Sequence, residues 1–137
     1  MREALVRLLH KGGHSLVLWN GDTRTFSQRG VADLYNLLHD EPDSLRGAIV
    51  VDKVVGKGAA ALVVLGGVAE LYADVISEAA LALLDANGVT VAYGQSVPNI
   101  VNREKSGLCP VETLCKDAAT AAECLPLIQN FMNRQTR

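Results

Sequence analysis

IVVDKVVGKGAAALVVL, from Ile49 to Leu65, joins a buried strand to a helix. Ala48 to Val51 is the apolar strand, and Lys57 to Leu65 is a small-residue helix closed by Gly66-Gly67. Asp52, Lys53 and Gly56-Lys57-Gly58 stand at the junction. In an open α/β sheet the carboxyl end of a strand and the start of the next helix form the usual ligand crevice. A helix start also offers free N–H groups and partial positive charge.

The pattern extends in both directions. Toward the C-terminus, Leu71 to Ile76 reads as a strand, and Ser77 caps a helix running to about Ala86. Asn87-Gly88 ends that helix, and Val89 to Tyr93 is a further strand. Strand–helix–strand–helix–strand at this spacing implies parallel strands with right-handed crossovers. Toward the N-terminus, residues 2–11 carry Leu5, Leu8 and Leu9 at helical spacing, closed by Gly12-Gly13. SLVLW, ending at Trp19, and Thr23 to Phe26 are strands around the hairpin signal Asn20-Gly21-Asp22. Gly30 to His39 is helical, with Val31, Leu34, Leu37 and Leu38 as its apolar face, and Asp40 to Ser44, containing Pro42, is a loop. After Pro98 the chain is irregular; a short helix starts at Pro110 and a last one spans Thr120 to Met132. The sheet is therefore mixed, antiparallel at one edge and parallel across the rest.

Composition narrows the function classes. With 137 residues, 49% hydrophobic and 20% charged, the chain suits one globular domain, covered by residues 1–137 with 97–137 as a C-terminal extension over the site. A net charge of −2, one Trp, three Tyr and two Phe provide neither a basic footprint nor a stacking platform for nucleic acid. Arg2, Glu3 and Arg7 interrupt the N-terminal apolar residues, which argues against a signal peptide. Gly58 to Val68 is the longest apolar run and is short of a bilayer span. Three cysteines, Cys109, Cys115 and Cys124, fit a reducing compartment, so the expected location is cytoplasmic. His10 and His14 are separated by Gly12-Gly13, which would break a helix presenting both to one metal.

The charges at the junction carry the chemistry. Lys57 opposes the macrodipole of its own helix at a cost of about 0.3–1 kcal/mol, and Lys53 adds like charge nearby. An incoming anion would neutralise both; the bland reading is a solvated surface with a salt bridge to Asp52. Walker A fails, because Val51 and Gly58 occupy positions that need Gly and Ser or Thr. Gly56-Lys57-Gly58-Ala59-Ala60-Ala61 matches the dinucleotide fingerprint, with Asp74 near its acidic position, but the unit follows a hairpin rather than an initial strand. Cys109 stands at the N-cap of the Pro110 helix, where a thiol pKa can fall, with Glu112 at N3. Asn102 and Arg103 lie in the long connection before it, and Arg103 can grip a carboxylate or phosphate. Asp74 and Ser77 end the neighbouring strand, with Ser77 read chiefly as a helix cap.

Several segments together carry a family resemblance: Ser27 with Gly30-Val31, Asp52-Lys53-Val54-Val55-Gly56-Lys57, and Tyr72-Ala73-Asp74-Val75-Ile76-Ser77. Val97-Pro98, Asn102-Arg103 and Gly107-Leu108-Cys109-Pro110-Val111-Glu112 continue the series. Over roughly residues 5 to 115 the chain resembles an uncharacterised family of small bacterial proteins assigned to the cytidine deaminase-like fold. Zinc deaminases carry H-x-E at one helix start and P-C-x-x-C at the next. The helix near Gly30 has no such His or Glu, and Asp52-Lys53-x-x-Gly56-Lys57 stands where the cysteines would be. The resemblance therefore implies the fold and the place of the site, not the zinc mechanism.

The resulting expectation is a three-layer α/β/α domain, cytidine deaminase-like, with a mixed sheet of about five strands in the order 2-1-3-4-5. Its leading function is binding of a small anionic or nucleotide-like metabolite, without zinc or other cofactor. Asp52, Lys53, Lys57, Cys109 and Glu112 are the reactive groups, expected in one pocket, with Gly56, Gly58, Asp74, Ser77, Asn102 and Arg103 around the ligand. Removing both lysines should abolish anion binding and leave the fold intact. One rival is a zinc-independent enzyme using the lysines, Asp52 or Glu112, and Cys109. Another is a structural or partner-binding module with a vestigial site. No nucleic-acid or membrane partner is expected, and the apolar helices at Gly58–Leu65 and Glu78–Ala86 point to a homodimer.

Overall fold

A computed structural model describes residues 2–27, 31–98 and 110–135, with backbone alone at 110, 112, 113, 134 and 135. Its elements are α1 (Arg2–Lys11), β1 (Leu16–Trp19), β2 (Thr23–Phe26), α2 (Ala32–Asp40), α3 (Pro42–Leu45) and β3 (Ile49–Val55). They continue with α4 (Lys57–Gly66), β4 (Glu70–Ser77), α5 (Glu78–Ala86), β5 (Thr90–Val97), α6 (Pro110–Cys115) and α7 (Ala121–Gln135). The sheet order is β2-β1-β3-β4-β5, as the sequence pattern implies. β1 runs antiparallel to both β2 and β3, while β3, β4 and β5 run parallel.

Local signals set most boundaries. Gly21 turns the hairpin with φ 89, and Gly67 ends α4 in the left-handed region with φ 75. The Ser77 hydroxyl accepts the Ala80 N–H at 3.1 Å and starts α5. Three elements depart from the sequence reading. Pro42 opens the short helix α3 where a loop is expected, because its ring presets a helical φ at the first position. β5 runs on to Val97. β3 runs to Val55 rather than ending at Val51, since β1 pairs it through Asp52 and β4 through Val55. Asp52 and Lys53 are thus inside a strand, not beyond it.

The two faces of the sheet are covered unequally. On one, Leu5 and Leu9 of α1 pack on Val17 and Val51. On the other, α4 lies at the centre and is itself packed by α2, α5, α6 and α7. Gly58 through Val63 are all buried, so a helix apolar all round is what this position requires. The apolar surface that α4 offers for a dimer in the sequence reading is consumed within the chain.

Strand alternation breaks once near the carboxyl ends of β3 and β4. Val50 and Val55 both enter the main core, as do Ala73 and Ile76, although each pair is an odd number of residues apart. Pairing passes from Asp52–Ala73 to Val54–Val75, and from Ala73–Tyr93 to Val75–Gln95. The register survives because neighbouring strands break at the same level. A Cβ on Gly94 at this level would lie 2.9 Å from the Asp74 carbonyl oxygen, so glycine permits the close approach.

Candidate functional site

Asp52 shares its face of β3 with Val50, which places its carboxyl on the α4 side of the sheet. The residue is 8% exposed, and its Oδ1 accepts the Val54 N–H at 3.4 Å. Burial pushes the carboxyl up to about 7, against the pull of the Val54 and Lys53 N–H groups; the charges of Asp33 and Asp74 push it further. Asp33, in the first turn of α2, is equally buried at 8%. The sequence reading passes over Asp33. The available signal is its spacing, four residues before Leu37, which puts a carboxylate on the apolar face of the helix. Two carboxyl residues are therefore buried on the α4 side of the sheet, and the charge of Asp33 disfavours ionisation of Asp52.

Lys57 has a structural task. Its ammonium donates to the carbonyl of Lys116 at 3.2 Å and to that of Ala118, the groups just past the end of α6. Positive charge at a helix C-terminus is favourable, so Lys57 offsets at α6 what it costs at the start of α4. Gly58 is fixed by packing: a Cβ there would meet Val111 Cγ1 at 2.2 Å. The α6 segment is thus seated on the first turn of α4. Gly56 is the N-cap of α4, with no side-chain cap and no acidic residue in the first turn.

Lys53 and Asp74 belong to the other face. Lys53 alternates away from Asp52, as Asp74 alternates away from the core residue Ala73 that pairs with Asp52. The Asp74 carboxylate holds His10 Nε2 at 2.8 and 2.9 Å, clasping α1 to β4. Tyr72 is drawn into the same group. Burial, then its hydrogen bond to Asp74, push its hydroxyl above the ordinary range. Ser77 is fully buried and spends its hydroxyl on the α5 cap. The sheet therefore separates Asp52 with Asp33 from Lys53 with Asp74, His10 and Tyr72. Cys109, Asn102, Arg103 and the side chain of Glu112 lie outside the described residues; Val111 of α6 packs against Gly58 of α4.

The sequence profile of a domain of unknown function, DUF1893 (TM1506), matches residues 4–132. The chain belongs to the DUF1893 family. A Thermotoga maritima DUF1893 protein, TM1506, whose crystal structure is known at 2.70 Å, is similar in fold with a TM-score of 0.85. The two are 26% identical, over 94% of this chain and 87% of the other. No curated protein matches.

What this DUF1893 chain can do chemically is set by its buried acids. A carboxyl near pKa 7 exchanges a proton at neutral pH, and its protonated form both donates and accepts hydrogen bonds. Among the described residues no three His, Cys, Asp or Glu side chains gather closely enough to hold a metal ion. Cys115 and Cys124 are buried in the core. No helix among the described residues is long and apolar enough to cross a membrane.

Proposed function

We propose that the chain binds a small nucleotide-like metabolite at the carboxyl edge of its parallel strands, in a zinc-free site of the cytidine deaminase-like kind. The observation that carries this reading is the burial of two carboxyl residues, Asp52 and Asp33, with burial pushing the Asp52 carboxyl up to about 7. Burying such a pair is costly, and a site that must present both a donor and an acceptor to a ligand gives a reason for it. A nucleobase edge has that pattern of N–H and C=O groups. The start of α4 has neither an acidic residue nor a side-chain cap, which suits an anionic part of the same ligand. Because Lys57 is committed to the α6 carbonyls, the reading rests on Asp52 and Asp33, with Lys57 holding the wall in place.

The test is a thermal-shift and calorimetry series with cytidine, uridine, adenosine and guanosine and their 5′-monophosphates. At least one should raise Tm of the wild type and not of Asp52→Asn. A series in which none does, or in which both proteins respond alike, overturns the reading. A zinc-independent enzyme is the second reading. A carboxyl that titrates near pH 7 suits general acid–base work, so bound compounds should also be checked for turnover.

A further inference from the structure

The two edges of the sheet are built differently. β2 is four residues long, TRTF, and carries a charge. The Arg24 guanidinium bonds both Glu41 carboxylate oxygens at 3.3 Å and lies 5.3 Å from the centre of the Phe26 ring. Shortness and a fixed charge are devices that keep an edge from pairing. β5 has neither. It is eight residues, TVAYGQSV, without a charge or a proline. The Thr90 N–H donates to the Ala69 carbonyl, which turns Thr90 and Ala92 toward β4. By alternation Val91 and Tyr93 direct their N–H and C=O groups outward. Among the described residues no strand lies beyond β5. The main core nevertheless reaches this edge. Val91 packs against it, and Tyr93, level with the core residue Ala73, stands 44% exposed.

The geometry points to a second copy of this chain as the occupant of that edge, the two β5 strands pairing antiparallel about a two-fold axis normal to the sheet. Such an axis sets each strand against itself and keeps each face on its own side. A charge close to the axis would face its own like across it, which destabilises a cross-strand pair. TVAYGQSV meets no such repulsion, and it offers no charge by which an acidic or basic foreign strand would be chosen. The axis keeps both Tyr93 rings on the α4 side, where each continues the core of its neighbour. The product is one continuous sheet of ten strands, twice the five of each chain. This inference is independent of the ligand reading and places the dimer contact at β5 rather than at α4.

Sedimentation velocity of the full chain gives the first test: the wild type should show the mass of two subunits at about 100 µM, and Tyr93→Lys should weaken association about 100-fold or more. Hydrogen exchange on the wild type supplies a readout that needs no variant. The Val91 and Tyr93 amides should be protected at high protein concentration and lose protection on dilution. A wild type with one subunit's mass at that concentration overturns the proposal. So does a dimer whose Val91 and Tyr93 amides exchange equally fast at both concentrations, and so does undiminished association of Tyr93→Lys.

Discussion

Asp52 makes the stability of this protein depend on pH in a direction opposite to that of an ordinary paired carboxylate. In the unfolded chain its pKa is near the reference value of 3.8, and in the fold it is pushed up to about 7. The folded protein therefore holds this proton more tightly. Below about pH 4 both states are protonated and the residue costs nothing. As pH rises toward 7 the unfolded chain ionises first, so stability falls; above 7 both are ionised and the loss levels off. One pKa unit corresponds to about 1.4 kcal/mol, so the full penalty is on the order of 4 kcal/mol, more than half of which falls between pH 5 and pH 8. That is a sizeable part of the ~5–15 kcal/mol that holds a domain folded. In urea it moves the midpoint by about 1 M or more. Asp52→Asn keeps an oxygen for the Val54 N–H and removes the titration. Urea melts of both proteins at pH 5 and pH 8 single out Asp52 together with its coupling to Asp33 and Asp74, because ionisations not coupled to it cancel in the difference. The wild type should lose roughly 2–3 kcal/mol more than the variant over that interval. Equal pH dependence in the two proteins would refute the assignment of a buried, proton-holding carboxyl.

Other perturbations have expected outcomes of their own. Gly58→Ala drives a Cβ into Val111, and since both residues are buried the α4–α6 contact must shift; a loss of about 1–3 kcal/mol in urea stability is expected. Lys57→Met leaves the Lys116 and Ala118 carbonyls without their donor, so it should destabilise the chain by about 1–3 kcal/mol, contrary to a purely ligand-facing lysine, which could be removed without cost. Ser77→Ala removes a fully buried cap and should cost about 1–2 kcal/mol, measured by the same melts, with Ser77→Thr recovering part of it. Elemental analysis of protein purified without added metal should find well under one zinc per chain, in keeping with the absence of H-x-E and C-x-x-C motifs; one zinc per chain would contradict this.

Short-range chemistry wrote much of the fold into the sequence. Asn20-Gly21 turns the hairpin, Ser77 caps α5, Gly67 stops α4, and the spacing of apolar runs sets the strand order, because each signal acts within a few residues of itself. Tertiary structure decided which residues surround Asp52 and Lys57. β3 is buried on both faces, so its apolar run hides where the strand ends, and Asp52 turned out to lie within it. Pairing at a distance did the rest. Lys57 finds carbonyls 59 and 61 residues away, His10 finds Asp74 across 64 residues, and Asn20 donates to the Asp43, Ser44 and Arg46 carbonyls at the far end of α3. The face of the sheet on which a charge lands decides its partners. That face depends on where alternation breaks in β3 and β4 together, a property of neighbouring strands rather than of either segment alone.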